Sequence, residues 1–222
     1  MQSQSQVAYE PLTPENSAFL LIDYQGGLML ATASIPLEQL RTNAVALAEM
    51  LALFKIPGVM TTGGVRSPDG SSMDPLIPEL QRVFPDTQII ARSALNAWRD
   101  PPVVKALERL GRRKIIMAGI STDICLTFTS IAARDAGYEP YVVVDACATW
   151  EERAERAAWT RMAHRGVILT NWIAVAAELQ ADWESGIQTA PHYVKILATR
   201  NAAFGGMMQS FGGQGNSQKA LR

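Results

Sequence analysis

Residues 114–138, KIIMAGISTDICLTFTSIAARDAGY, change hydrophobic period within a single turn, and that change constrains the whole chain. The apolar run 115–118 follows the charged cluster Arg112, Arg113 and Lys114, the pattern of a strand buried on both faces of a parallel sheet. Gly119 ends it. From Thr122 the spacing of Ile124, Phe128 and Ile131 predicts a helix that runs to Gly137, a C-terminal stop. Ser121, Thr122 and Asp123 are cap-type residues. Cys125 then falls in a helix's first turn at the end of a central strand, where backbone N–H groups and the positive dipole end favour a thiolate. A free cysteine is also commonly a small buried hydrophobe. Residues at the other strand ends decide between these readings.

Five further apolar runs recur at intervals that leave room for helices: 18–22, 59–62, 88–91, 140–145 and 167–169. Strand–helix alternation of this kind predicts an α/β domain. Asp23 directly follows the first run, and Arg92 directly follows the third. In an open parallel sheet the ligand crevice lies outside the carboxyl ends of the strands, so both residues are placed for chemistry. The alternative for Asp23 is a turn cap. The second run leads into GGVRSPDGSS, a loop able to serve as a lid, in which Arg66 either faces an anionic substrate group or is solvated. After Arg92, Asn96 and Trp98 offer a polar group beside an aromatic wall, or a loop anchored by its tryptophan. Cys147 has no charged neighbour and reads as structural; His164 reads as a charge partner at a helix end.

The 222 residues, 48% hydrophobic, fit one domain over 14–204, between an N-terminal tail (1–13) and a Gly/Ser/Gln-rich, disorder-prone tail (205–222). A net charge of -1 gives no general reason to bind nucleic acid or anionic membranes, which points to small-molecule partners. With no long apolar run and no signal-like N-terminus, the expected location is the cytosol, where both cysteines stay free. The tryptophans of the last third, Trp159, Trp172 and Trp183, suggest subunit contacts.

With their settings, LLIDYQ, IIARSALNAW and AGISTDICLTFTS, Asp23, Arg92 and Cys125 resemble the isochorismatase-like cysteine hydrolase superfamily. The IAR…NAW segment resembles its octameric YcaC-type branch. The resemblance implies a three-layer α/β/α sandwich, Rossmann-like, on a six-stranded parallel sheet of order 3-2-1-4-5-6, and a homo-oligomer, with the octamer as the branch's form. It implies a catalytic triad of Asp23, Arg92 and Cys125, with Arg92 where the family's common form has Lys. It further implies a cis peptide between Ile120 and Ser121 and an oxyanion hole from the backbone N–H groups of Ser121 and Cys125. Gln25, Arg66, Asn96, Trp98, Ile120 and Trp150 are the expected substrate-pocket residues. Nicotinamidases of the superfamily hold a metal with an Asp and two His, whereas His164 and His192 fall outside the segment where those ligands belong. Neither a metal nor another cofactor is expected.

Arginine does not give up its proton, so proton transfer falls to Asp23. The implied activity is hydrolysis of a small-molecule C–N amide bond through a thioester on Cys125. The alternatives are a non-catalytic or redox-active oligomer and an isochorismate-like ether hydrolase. The helix N-terminus and Arg92 are expected to hold the Cys125 thiol below its usual pKa of about 8.5.

Overall fold

All six apolar runs form strands. A computed structural model describes residues 10–64, 74–184 and 186–219. Its strands are β1 (Ser17–Ile22), β2 (Gly58–Thr62), β3 (Ile89–Ala91), β4 (Lys114–Gly119), β5 (Glu139–Val143) and β6 (Ile168–Thr170), all parallel in the order β3-β2-β1-β4-β5-β6. β1 and β4 are buried at every position, which is why their sequences read as unbroken apolar runs. The outer strands β3 and β6 leave Ile89 and Ile168 partly exposed.

Right-handed crossovers dictate the layers. Moving from β1 out to β3 puts α2 (Leu37–Leu53) and α3 (Pro78–Val83) on one face. Moving back through β4 to β6 puts α4 (Pro101–Leu110), α5 (Thr127–Asp135) and α6 (Glu152–His164) on the other. Short α1 (Gly26–Leu30) follows β1, while α7 (Trp172–Gln180) and α8 (Ala190–Arg200) pack on α2. Asn171 caps α7 by accepting the Ala174 N–H at 2.9 Å. Trp172 is buried in this chain's own core, whereas Trp183 is 58% exposed.

The C-terminal segment departs from the disorder-prone tail expected from residue 205. Its backbone is helical as α9 (Ala202–Lys219), which packs on α8. Gly205 is the contact point, because a Cβ there would lie 2.5 Å from the Ala198 carbonyl oxygen. This glycine lets two helices approach, a role that composition cannot distinguish from chain flexibility.

Register gathers the strand ends. Ile22 lies opposite both Thr61 and Gly119, and Thr62 lies opposite Ala91. Asp23, Arg92 and the turn after Gly119 therefore leave the sheet along one edge, on either side of the point where strand order reverses between β1 and β4. No described helix is long and apolar enough to cross a membrane.

Candidate active site

Asp23 leaves β1 with φ 55, a left-handed conformation that Asp tolerates better than most residues. Its Oδ1 accepts from Thr61 Oγ1 at 2.8 Å, and its Oδ2 accepts from Nη2 of Arg92. Both partners of this ion pair are sealed, with side chains 1% exposed. Arg92 also donates through Nη1 to the carbonyls of Ala94 and, at 3.2 Å, Leu95. Its Nε is buried with no partner among the described residues. Gly63 lies against the pair, where a Cβ would stand 2.6 Å from Asp23 Oδ2.

Cys125 sits in a wide turn, Thr122–Leu126, closed by Leu126 N–H to the Ser121 carbonyl at 3.2 Å. The regular helix starts only at Thr127, five residues later than the periodicity predicts. Tertiary bonds explain the difference. Thr122 N–H is taken by Ala148 O at 2.9 Å, Thr122 Oγ1 donates to Glu155 Oε1 at 2.8 Å, and Thr127 Oγ1 reaches Thr122 O at 2.6 Å. The Ile120–Ser121 peptide just before the turn is cis.

The Asp23 carboxylate, the Arg92 guanidinium and the Ser121 N–H all bear on the Cys125 sulfur. Burial pushes the Cys125 thiol up and the Asp23 charge pushes the same way, outweighing Arg92 and Ser121. The expected acidic thiol is therefore corrected: the group rests protonated. Burial also raises the Asp23 carboxyl, against the pull of Arg92, Thr61 and Cys125. A raised carboxylate beside a protonated thiol is arranged to receive its proton.

Asp23, Arg92 and Cys125 line one cavity of about 320 Å³, together with Gln25, Ile120, Ser121 and Trp150. Gln25 is committed to structure, since Nε2 donates to Gly63 O at 3.2 Å and Asp74 O at 2.5 Å, and Oε1 accepts from Gly63 N–H at 2.8 Å. Asn96 and Trp98 do not line the cavity. Asn96 Oδ1 caps the short turn Ala97–Arg99 by accepting Trp98 N–H at 2.9 Å, and the Trp98 ring packs edge-on against Tyr138, 5.0 Å between centroids. Arg66 and most of its loop lie outside the described residues.

Sequence reasoning missed the walls Leu28, Leu95 and Ile124, and the Thr61 hydroxyl. Two threonines closing an otherwise buried β2 were the available signal for Thr61. Cys147 is buried and donates through Sγ to Val143 O at 2.9 Å, with its thiol pushed far up by burial. His164 ends α6 and His192 lies in α8, both off the cavity.

The Isochorismatase domain matches residues 17–174, a span that holds every residue of this cavity. The chain belongs to the isochorismatase family. Within that family it is 36% identical to Probable hydrolase YcaC of Escherichia coli over 181 residues, 81% of this chain and 85% of the relative. The structure of YcaC from Pseudomonas aeruginosa with hexane-2,5-diol and covalent acrylamide aligns at TM-score 0.85 and 34% identity, covering 93% of this chain and 99% of that one. The Escherichia coli YcaC structure, described as an octameric hydrolase of unknown specificity, aligns at 0.85 and 32%, covering 94% and 99%. Isochorismatase domain-containing protein 2 of Rattus norvegicus is 28% identical over 76% of each chain.

Proposed function

We propose that this isochorismatase-family hydrolase is a cysteine amidohydrolase, cleaving the C–N bond of a small amide. The carrying observation is the buried Arg92–Asp23 pair lining one cavity together with Cys125. Asp23 takes the thiol proton as sulfur attacks the amide carbon; the C–S bond forms and the carbonyl π pair moves to oxygen. The N–H groups of Ser121 and Cys125 hold that oxyanion. Collapse breaks the C–N bond while Asp23 returns the proton to nitrogen, and the amine leaves. Water then attacks the thioester, giving one proton to Asp23, which passes it to the departing sulfur. The released product is the carboxylic acid. Arg92 orients and balances Asp23 throughout, holding its own proton.

Covalent acrylamide in the Pseudomonas aeruginosa relative supports a reactive nucleophile in this branch of the family. The octameric description of the Escherichia coli relative supports assembly of this chain with its own copies. The test is intact-mass spectrometry after rapid mixing with small amides. The expected result is an acyl adduct on Cys125, absent in Cys125→Ala. Turnover that survives Cys125→Ala would replace this reading with ether or water-mediated chemistry.

A further inference from the structure

We infer that the cavity selects an uncharged carboxamide with a small apolar acyl group, and that Leu28, Leu95, Ile124 and Trp150 set this selectivity. The inference rests on the amidohydrolase reading and names its substrate class. Five apolar side chains, Leu28, Leu95, Ile120, Ile124 and Trp150, line the cavity. They come from four separate places: α1, the loop after β3, the turn after β4 and the loop after β5. The cavity volume, about 320 Å³, equals the liquid volume of roughly ten waters, so the substrate has on the order of ten non-hydrogen atoms.

Charge decides what those walls accept. Among the described lining residues the carboxylates are Asp23 and Asp74, the latter accepting from the Gly27 and Leu28 N–H groups, and the cation is Arg92. Its charge is offset by Asp23, and both terminal nitrogens are already bonded, one to that carboxylate and one to the Ala94 and Leu95 carbonyls. A substrate carboxylate would find no free counter-ion among the described lining residues, or would draw Arg92 from Asp23 and disable the proton carrier. A substrate hydrocarbon instead gains about fourfold in affinity for each methylene it buries on the wall. Leu95 and Trp150, 61% and 40% exposed, offer surface that such a group would cover.

The test compares hexanamide with two charged analogues of its length, adipamate and 6-aminohexanamide. Hexanamide is expected to exceed adipamate in kcat/KM by about 100-fold or more. An adipamate value equal to or above that of hexanamide overturns the inference. A second readout needs no hydrolysis: the rate of Cys125 alkylation by neutral iodoacetamide relative to anionic iodoacetate, scaled to glutathione. We expect this ratio to be at least tenfold above that of glutathione, and Leu95→Arg to bring it down by placing a cation at the rim. A ratio at or below glutathione's overturns the inference. If the ratio is high and no amide is cleaved, the amidohydrolase reading falls while the selectivity for uncharged molecules stands.

Discussion

The guanidinium of Arg92 and the carboxylate of Asp23 form an ion pair whose two side chains are each 1% exposed, at the floor of the candidate active site. Breaking such a pair leaves one charge buried without its partner, which is strongly destabilising. Arg92→Gln should therefore lower stability by about 3 kcal/mol in urea titration and reduce turnover. It should also raise the Asp23 carboxyl further, because the main charge holding it down is gone. Unchanged stability would mean that solvent reaches the pair.

Asp23→Asn separates thiol acidity from catalysis. Burial and the Asp23 charge hold the thiol above its usual range, so alkylation of the wild type should rise only above about pH 8.5. Removing the charge should move that profile to lower pH and make Cys125 more reactive near neutrality. Turnover should nonetheless fall by about 10²-fold or more, since no proton carrier remains. A profile that stays in place would show that the carboxylate does not act on the sulfur.

Gly63→Ala probes the pair from the side. The added Cβ would stand 2.6 Å from Asp23 Oδ2 and 3.5 Å from Arg92 Nη2, and the buried pair has little room to yield. We expect at least about tenfold loss of kcat, the scale of a misplacement at reacting groups, together with an overpacking cost of about 1–3 kcal/mol in stability. Full activity would show that the loop itself moves.

Lys114 forms a second buried ionic cluster away from the cavity. Its Nζ, on a side chain 3% exposed, donates to Glu139 Oε2 at 2.7 Å, Glu10 O at 2.9 Å and Tyr141 Oη at 3.2 Å. These partners raise the lysine pKa against its burial, and the Lys114 hydrogen bond lowers the Glu139 carboxyl. The lysine's contribution is complete below about pH 10.4 and fades as pH rises through its higher folded value. The glutamate's is complete above about pH 4.3 and fades as pH falls through its lower folded value. Lys114→Met should thus cost about 3 kcal/mol across that plateau, less in acid, read by urea titration at several pH values. An equal deficit at pH 3 and pH 7 would sink the assignment.

Assembly is tested by light scattering at micromolar concentration. The expected mass is a multiple of the 24.2 kDa chain, with eight copies as the proposed form. A monomer at that concentration removes the proposal.

Strand ends were legible because the apolar runs stop abruptly: Asp23 and Arg92 stand directly past two of them, and Cys125 lies in the turn that follows Gly119. What surrounds them was not. Gly63 and Leu28 reach the site through register and turns that no local pattern encodes. Asn96 and Trp98 were misplaced because a capping Asn beside a packed Trp reads the same in sequence as a pocket wall. The thiol's direction of shift was misjudged for a related reason: helix start and arginine are visible in the chain, whereas burial and the distance to Asp23 exist only after folding. Gly205, likewise, looks like slack until Ala198 is seen against it.

The left-handed backbone at Asp23 restricts what can replace it. Most L-residues pay roughly 1–2 kcal/mol at such a φ, with Gly, Asn and Asp largely spared. Of those three, only Asp can carry a proton. Glu, the usual charge-preserving replacement, meets a conformational barrier before its longer reach is even considered. Under the proposed mechanism a replacement here meets two demands, a proton-carrying side chain and a backbone that accepts this φ, and the two overlap at a single amino acid.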